Sequence, residues 1–177
     1  SQLLEALASR CHTARGAEAA RALPFFEHPD QARGRLAEIG EARLLWQLGE
    51  PIPFGGIHDV ETLCARAEKG GDLVGAELVP VAETIAGAAR LRRHLVARAT
   101  QVPRLAAQAE PLAELPHVSG PILDSIEEGG RLADHASNEL GQLRRRVASL
   151  HEELGRKVRT LLDDPAIEPY LQDHFYT

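Results

Sequence analysis

The spacing of apolar residues between positions 138 and 162 constrains the fold of this chain more than any other feature of its sequence. Seven apolar residues follow one another there at steps of three or four, the near-heptad pattern of a helix that pairs along one side. At 1.5 Å per residue such a helix is about 37 Å long and needs a long partner. The seven residues are Leu140, Leu143, Val147, Leu150, Leu154, Val158 and Leu161.

Two sources of that partner stay open. The helix is either one member of a local bundle or half of a two-helix coiled-coil arm whose second helix lies outside this chain. In the second case the apolar stripe is exposed, and a second copy of the chain can cover it. Four residues therefore form a candidate self-association seam: Leu143, Val147, Leu150 and Leu154.

The rest of the chain also favours helices. Apolar residues make up 44% of the 177 residues, enough for a core, whereas aromatic residues make up only 4% and methionine is absent. Ala, Leu, Glu and Arg recur, and these are helix formers rather than strand formers. We therefore expect an all-α fold, with an irregular helical bundle over residues 1–135 and one long coiled-coil helix within residues 136–177.

Capping residues and prolines predict several helix boundaries. Thr13 and Asp59 are the expected N-caps of two helices, because their side-chain oxygens can accept from first-turn amides. A further helix is expected from Pro103 to Leu115. Pro121 is expected near the first position of the helix after that, where its missing N–H costs nothing.

Net charge and cysteine content limit which partners, thiol states and cellular compartments are expected for this chain. The net charge of −6 argues against a domain that wraps nucleic acid over its whole surface, but it allows a local basic face. Cys11 and Cys64 are far apart and show no C-x-x-C spacing, so reduced thiols are expected rather than a disulfide or a zinc site. With no long apolar run and no signal peptide, the expected location is cytoplasmic, with no membrane partner.

Basic residues flank the long helix, and they are either solvated or in contact with phosphates. The three arginines at 144 to 146 fan over about 200° of the helix, so they cannot all face one nucleic-acid backbone. The i,i+4 pairs Glu152–Arg156 and Glu153–Lys157 are typical of a solvated flank. A second basic cluster at positions 90 to 98 has the same two interpretations. The candidate nucleic-acid contacts are Arg144, Arg145, Arg156, Lys157 and Arg159.

Motifs that carry catalysis are absent from the sequence. It contains no G-x-x-x-x-G-K-[ST] phosphate loop, no H-E-x-x-H and no G-x-S-x-G. Cys11 and His12 are neighbours, but adjacent helical residues point about 100° apart, so they do not form a nucleophile pair. We therefore predict no catalytic, cofactor-binding or metal-binding residue in this chain.

Seven short strings of this sequence resemble, in order, the N-terminal region of the second branch of the bacterial MutS family. The chain departs from the family pattern at Glu127, where the family usually has Asp, and at His174 and Phe175, which replace small aliphatic residues. The strings are CHT at 11–13 with Gly16, EARLL at 41–45, GGIHDV at 55–60, RAEKGGDL at 66–73, ARL at 89–91, IEEGGRLADHAS at 126–137 and LQD at 171–173.

The resemblance implies a non-catalytic part of a larger ATPase and Smr endonuclease. Residues 1–135 are then a helical core, and residues 136–177 hold the lever helix that leads to a clamp absent from this chain. Members of the family are homodimers whose clamps grip branched DNA or collided ribosomes; they suppress homologous recombination and split stalled ribosomes. ATP and Mg²⁺ are implied for the full-length parent but not for this chain, whose role would be to couple the nucleotide state to the clamp.

A different class of function stays open beside this one. A free-standing helical adaptor that binds protein partners through the heptad seam fits the same periodicity. The reading frame after Thr177 separates the two hypotheses, because only the first requires a downstream phosphate loop.

Overall fold

The computed structural model describes residues 2–127 and 129–164, and most of these residues are helical. No strand occurs among them, and the one β-type contact is an isolated antiparallel bridge between Ile126 and Leu132. The expected all-α class is confirmed. The helices are α1 (Gln2–Ala8), α2 (Ala14–Arg21), α3 (Pro29–Gln47), α4 (Glu61–Glu68), α5 (Gly75–Val96), α6 (Pro103–Ala109), α7 (Pro116–Ser125) and α8 (Asn138–Leu162).

The chain divides into two compact units, Ser1–Leu132 and Ala133–Thr177. In the first unit α6 and α7 pack against α5, α3 packs against α6, and α1 packs against α2. The second unit contains α8 as the one helix within its described residues, 133–164.

The core of the first unit lies where α3, α5 and α6 meet. Four buried residues from these helices and the following loops form it, and removing their apolar surface from water stabilises the packing. Ile52, Leu91, Leu105 and Leu112 pack around them. The buried residues are Leu45, Leu95, Val102 and Ala109.

Side-chain oxygens cap two of the helix N-termini in this unit. Thr13 accepts from the backbone N–H of Gly16 at 3.0 Å, as the sequence predicts. At α6 the carboxylate of Glu41, on α3, accepts from the N–H groups of Arg104 and Leu105 at 3.2 and 2.9 Å. Because first-turn amides have no partner within their own helix, Glu41 both satisfies α6 and joins it to α3.

Two predicted boundaries around α6 and α7 are wrong. The helix that begins at Pro103 ends at Ala109 rather than at Leu115, because Pro111 has no N–H with which to continue the hydrogen bonds of the helix. The next helix begins with Pro116 at its first turn, and Pro121 lies inside it. Pro116 therefore takes the position that was expected for Pro121.

The predicted cap at Asp59 is displaced by one residue. Val60 is the N-cap of α4 and makes no side-chain cap bond, whereas Asp59 Oδ1 accepts from the N–H of Glu61 at 3.3 Å. Asp59 therefore still satisfies a first-turn amide, from one position further out.

Candidate functional site

The long helix α8 begins at a well-formed cap. Ser137 has extended backbone, and its side chain accepts from the N–H of Leu140 at 3.0 Å. A Cβ on Gly141 would lie 2.8 Å from the carbonyl oxygen of Asp134, so glycine allows residue 134 to approach the first turn. The helix ends at Leu162, which matches the boundaries that its apolar spacing predicts.

The predicted seam of α8 is exposed. At 100° per residue its four residues, together with Leu161, lie within about 60° of the helix circumference. Each is more than half exposed, from 53% for Val147 to 60% for Leu154. A bundle member would bury such a stripe, so its exposure favours the other interpretation, a coiled-coil arm whose partner lies outside this chain, and that interpretation stays a prediction. An exposed apolar stripe of this kind is typical of a surface that binds a partner.

The five candidate nucleic-acid contacts divide into two groups. Arg145, Arg156 and Arg159 lie within about 60° of one another, on the side of α8 opposite the seam, and all three are exposed. Arg144 and Lys157 lie outside this range of angles; Arg144 forms an ion pair with Asp134, and Lys157 Nζ lies 2.8 Å from Glu153 Oε1. Only the first group therefore forms one continuous basic face.

Charge is distributed unevenly between α8 and the rest of the sequence. Residues 138–162 contain six basic and three acidic side chains, for a net charge of +3. The remaining residues account for −9 of the total of −6. Any attraction for a polyanion is therefore concentrated on α8.

Arginines of the second basic cluster, at positions 90 to 98, bind neighbouring segments of the first unit. Arg90 Nη2 donates to the carbonyl oxygen of Gly55 at 2.8 Å, and Arg92 Nη1 lies 2.6 Å from Glu114 Oε1. Arg98 Nε lies 2.5 Å from Glu50 Oε2, and this bond holds the pKa of Glu50 below its ordinary value. These arginines join α5 and the turn after it to neighbouring segments, which favours a structural role over phosphate binding.

The neighbouring Cys11 and His12 do not form a nucleophilic pair. The Cys11 thiol donates to the carbonyl oxygen of Leu7 at 3.6 Å, whereas the His12 ring stacks on Phe54 with ring centroids 6.1 Å apart. The two side chains therefore have separate partners, and the site required for thiol chemistry is not formed.

Several contacts around the loop at residues 53–59 were missed by sequence reasoning. His58 Nε2 lies 2.6 Å from Glu83 Oε2, and the N–H of His58 donates to Thr84 Oγ1 at 3.0 Å. Arg15, on α2, forms ion pairs with Asp59 and Glu61. These partners are far apart in sequence, and no spacing rule relates them. They fix the GGIHDV string against α5 and α2.

The sequence contains no phosphate loop for the ATP and Mg²⁺ that the resemblance implies for a longer parent. Among residues 2–127 and 129–164, no group of three His, Cys, Asp or Glu side chains could hold a metal ion. Within the same residues no helix is both long and apolar enough to cross a membrane.

No protein-family model matches the chain. Comparison with individual known proteins finds relatives that share one name, endonuclease MutS2. The endonuclease MutS2 of Anaeromyxobacter sp. (strain Fw109-5) is 43% identical over 176 residues, or 99% of the chain. Over the length that it spans, this chain is homologous to MutS2 endonucleases. The MutS2 endonucleases of Symbiobacterium thermophilum and Pelotomaculum thermopropionicum are 32% and 29% identical over 100% and 99% of it.

The chain spans only 22% of the length of each of these MutS2 relatives. The resemblance noted in the seven strings is thereby confirmed. The name endonuclease belongs to the longer relatives, and the described residues of this chain form a helical portion related to part of them.

Proposed function

We propose that this chain is a non-catalytic helical module of a MutS2-type protein, in which α8 is the lever between a helical core and a clamp. In this proposal the lever transmits the nucleotide state of an ATPase to a clamp that grips nucleic acid. The clients are branched DNA or, in a collided ribosome, an RNA-rich surface, and the biological outcomes are recombination suppression and ribosome splitting. Homodimerisation belongs to the same proposal.

One observation carries this proposal: 99% of the chain is matched by a relative at 43% identity, yet the match covers only 22% of that relative. A segment of a larger machine, without catalytic motifs of its own, accounts for both numbers. The form of α8 agrees with a lever, because a capped helix of 25 residues is a stiff element. The relatives' name, endonuclease, supports a nucleic-acid client.

A chimera tests the lever. The matching segment of the full-length Anaeromyxobacter relative is replaced by this chain, and ATP hydrolysis is measured with and without branched DNA. The intact chimera is expected to hydrolyse ATP faster when DNA is present. Two glycines inserted after Ser149 should abolish the stimulation while basal hydrolysis persists, because the insertion interrupts the helix at its middle.

The control is the same two-glycine insertion after Gly70, in the exposed turn between α4 and α5. It should leave the stimulation unchanged. Equal stimulation in the chimeras with and without the Ser149 insertion would refute the lever role.

The exposed seam also favours the second candidate, a free-standing adaptor that binds protein partners. The natural reading frame separates the two. Continuation beyond Thr177 into a phosphate-binding loop supports the MutS2 module, whereas a stop codon close to Thr177 supports the adaptor.

A further inference from the structure

Arg144 differs from the arginines of the basic face because a carboxylate outside the helix holds it. Asp134, in the turn that precedes α8, forms an ion pair with Arg144. The Arg144 side chain is 32% exposed and that of Asp134 is 67% exposed. The pair therefore lies at the surface, where a ligand from solution can reach both groups.

The turn that carries Asp134 lies over the first turns of α8. A Cβ on Gly141 would lie 2.8 Å from the carbonyl oxygen of Asp134 and 3.6 Å from Arg145 Nη1. Gly141 is buried beneath these groups, and the Ser137 cap joins the turn to the helix. Asp134 therefore has a fixed place at one end of the basic face.

Without its carboxylate partner, Arg144 would extend the basic face. At 100° per residue it lies about 60° from Arg159 around α8. With Arg144 included, the basic side chains of this surface span about 120°, or a third of the circumference. A single duplex can face a surface of that width, whereas it cannot face the wider fan of the three consecutive arginines.

A carboxylate and a phosphate compete for the same guanidinium. Arginine binds both through charge-assisted hydrogen bonds, which are often bidentate. Asp134 is part of the same chain and is always close to Arg144, whereas a phosphate has to arrive from solution. A phosphate that displaced Asp134 would also leave an unpaired negative charge beside itself, so the exchange gains little.

We propose that Asp134 is an internal substitute for a phosphate and keeps Arg144 out of a nucleic-acid-binding face on α8. The chain then binds a duplex more weakly than its arginines allow. Any change that neutralises or displaces Asp134 adds one phosphate contact. This inference rests on the nucleic-acid client of the proposed function, and it does not rest on the lever.

The salt dependence of DNA binding tests this competition. Fluorescence anisotropy with a labelled DNA duplex measures the affinity of the whole chain, of Asp134→Asn, of Arg144→Gln and of the double variant. Because one phosphate contact contributes about 0.9 to the slope of log affinity against log salt, Asp134→Asn should steepen the slope by about that amount. It should bind more tightly than wild type at low salt, with an advantage that shrinks about three- to fourfold for each fourfold rise in salt.

Arg144→Gln distinguishes the competition from a general effect of charge. In the wild-type background it should leave the slope unchanged, because Asp134 already occupies this arginine. In the Asp134→Asn background it should return the slope to the wild-type value. The effect of one substitution thus depends on the other, which is the sign of a direct interaction between the two sites.

The matched control is Glu139→Gln, which removes the same charge from the first turn of α8, about 140° around the helix from Arg144. It should change the affinity slightly and leave the slope unchanged. Asp134→Ala also lacks the carboxylate and should match Asp134→Asn. Circular dichroism confirms that every variant keeps its helicity.

Four results would overturn the proposal. They are a wild-type slope for Asp134→Asn, an equal effect of Glu139→Gln, an Arg144→Gln loss of the same size in both backgrounds, and no duplex binding by either wild type or Asp134→Asn. None of them decides the lever role, which is judged by ATP hydrolysis in the chimera.

Discussion

Gly87 shows how one residue fixes the loop at 53–59 against α5. It is buried, and a Cβ there would lie 3.1 Å from Ile57 Cγ1 and 3.2 Å from the carbonyl oxygens of Gly55 and Gly56. The hydrogen bonds of Arg90 to Gly55 and of His58 to Thr84 hold the same loop in place. The close approach of backbone to backbone therefore depends on the absence of a side chain.

Gly87→Val should destabilise the fold by about 1 to 3 kcal/mol, because its methyl groups overpack the contact with the loop. Urea unfolding followed by circular dichroism measures the change. Gly40→Val is the control: it lies in a helix too, but a Cβ there meets nothing within 4 Å. Stability should stay the same or rise slightly, since valine favours helix more than glycine. Equal losses in both variants would show that the cost comes from valine in a helix generally, and not from the contact with the loop.

The Glu50–Arg98 pair gives the fold an acid-sensitive contact. The hydrogen bond from Arg98 lowers the pKa of Glu50 below its ordinary value of 4.5. A carboxyl group with a lowered pKa in the folded state stabilises the fold fully above the ordinary value, and this contribution is lost as the pH falls through the folded-state pKa.

The stability difference between wild type and Glu50→Gln should therefore be largest near neutral pH and should shrink on acidification to about pH 3. Thermal unfolding across this range measures it. The exposed Glu68 on α4 provides the control variant Glu68→Gln, for which the difference should be small throughout. A Glu50→Gln deficit that is constant with pH would contradict the ion-pair explanation.

At the scale of elements, the sequence predicts α8 well and the region of α6 and α7 poorly. The limits of α8 follow from local signals: a serine cap and seven apolar residues at regular steps. Around α6 and α7, Pro103, Pro111, Pro116 and Pro121 lie close together, and each can either begin a helix or end one. Tertiary contacts decide among them; the Glu41 cap on α6, for example, comes from a residue about 60 positions earlier.

The candidate surface was predictable to a similar extent. Periodicity alone identifies which residues form the seam. It does not show whether the seam is exposed, because exposed and buried apolar stripes have the same spacing. Whether the seam is covered depends on the rest of the fold, so its exposure emerges only from the structure. The grouping of Arg145, Arg156 and Arg159 follows from helix geometry, but the pairing of Arg144 with Asp134 depends on how the chain turns before Ser137.

Leu150→Asp should convert a dimer of this chain into a monomer that keeps most of its helicity. The substitution places a carboxylate in the middle of the seam, where burial without a partner costs several kcal/mol. Ser149→Asp adds the same carboxylate one residue away, on a side of α8 that faces away from the seam, and should leave the dimer intact. Sedimentation velocity at matched concentrations distinguishes the two. A Leu150→Asp chain that unfolds outright would mean that Leu150 belongs to an internal core.

At the scale of the whole molecule, charge separation limits how nucleic acid can bind. The residues outside α8 carry −9, so they repel a polyanion, while the helix carries +3. We therefore expect any contacts with phosphates to be few and confined to the face formed by Arg145, Arg156 and Arg159. Because each phosphate contact releases a counterion, binding through this face must be weak and steeply dependent on salt.

Replacing these three arginines with glutamine tests that face. The logarithm of the binding constant for duplex DNA falls linearly with the logarithm of salt concentration, with a slope of about 0.9 per phosphate contact. The triple variant should therefore reduce the magnitude of the slope by about 2 to 3, with a loss of affinity at every salt concentration. Fluorescence anisotropy across a salt series measures both.

The matched control removes the same charge elsewhere, by replacing Arg10, Arg43 and Arg104 of the first unit with glutamine; all three are exposed. If net charge alone governs binding, both triple variants weaken it equally, and the face on α8 has no special role. If the face is the contact surface, the control changes affinity slightly through long-range repulsion but keeps the wild-type slope, because no phosphate contact is lost. Tight binding that persists at high salt would contradict both outcomes, since three arginines on an otherwise acidic molecule cannot supply it.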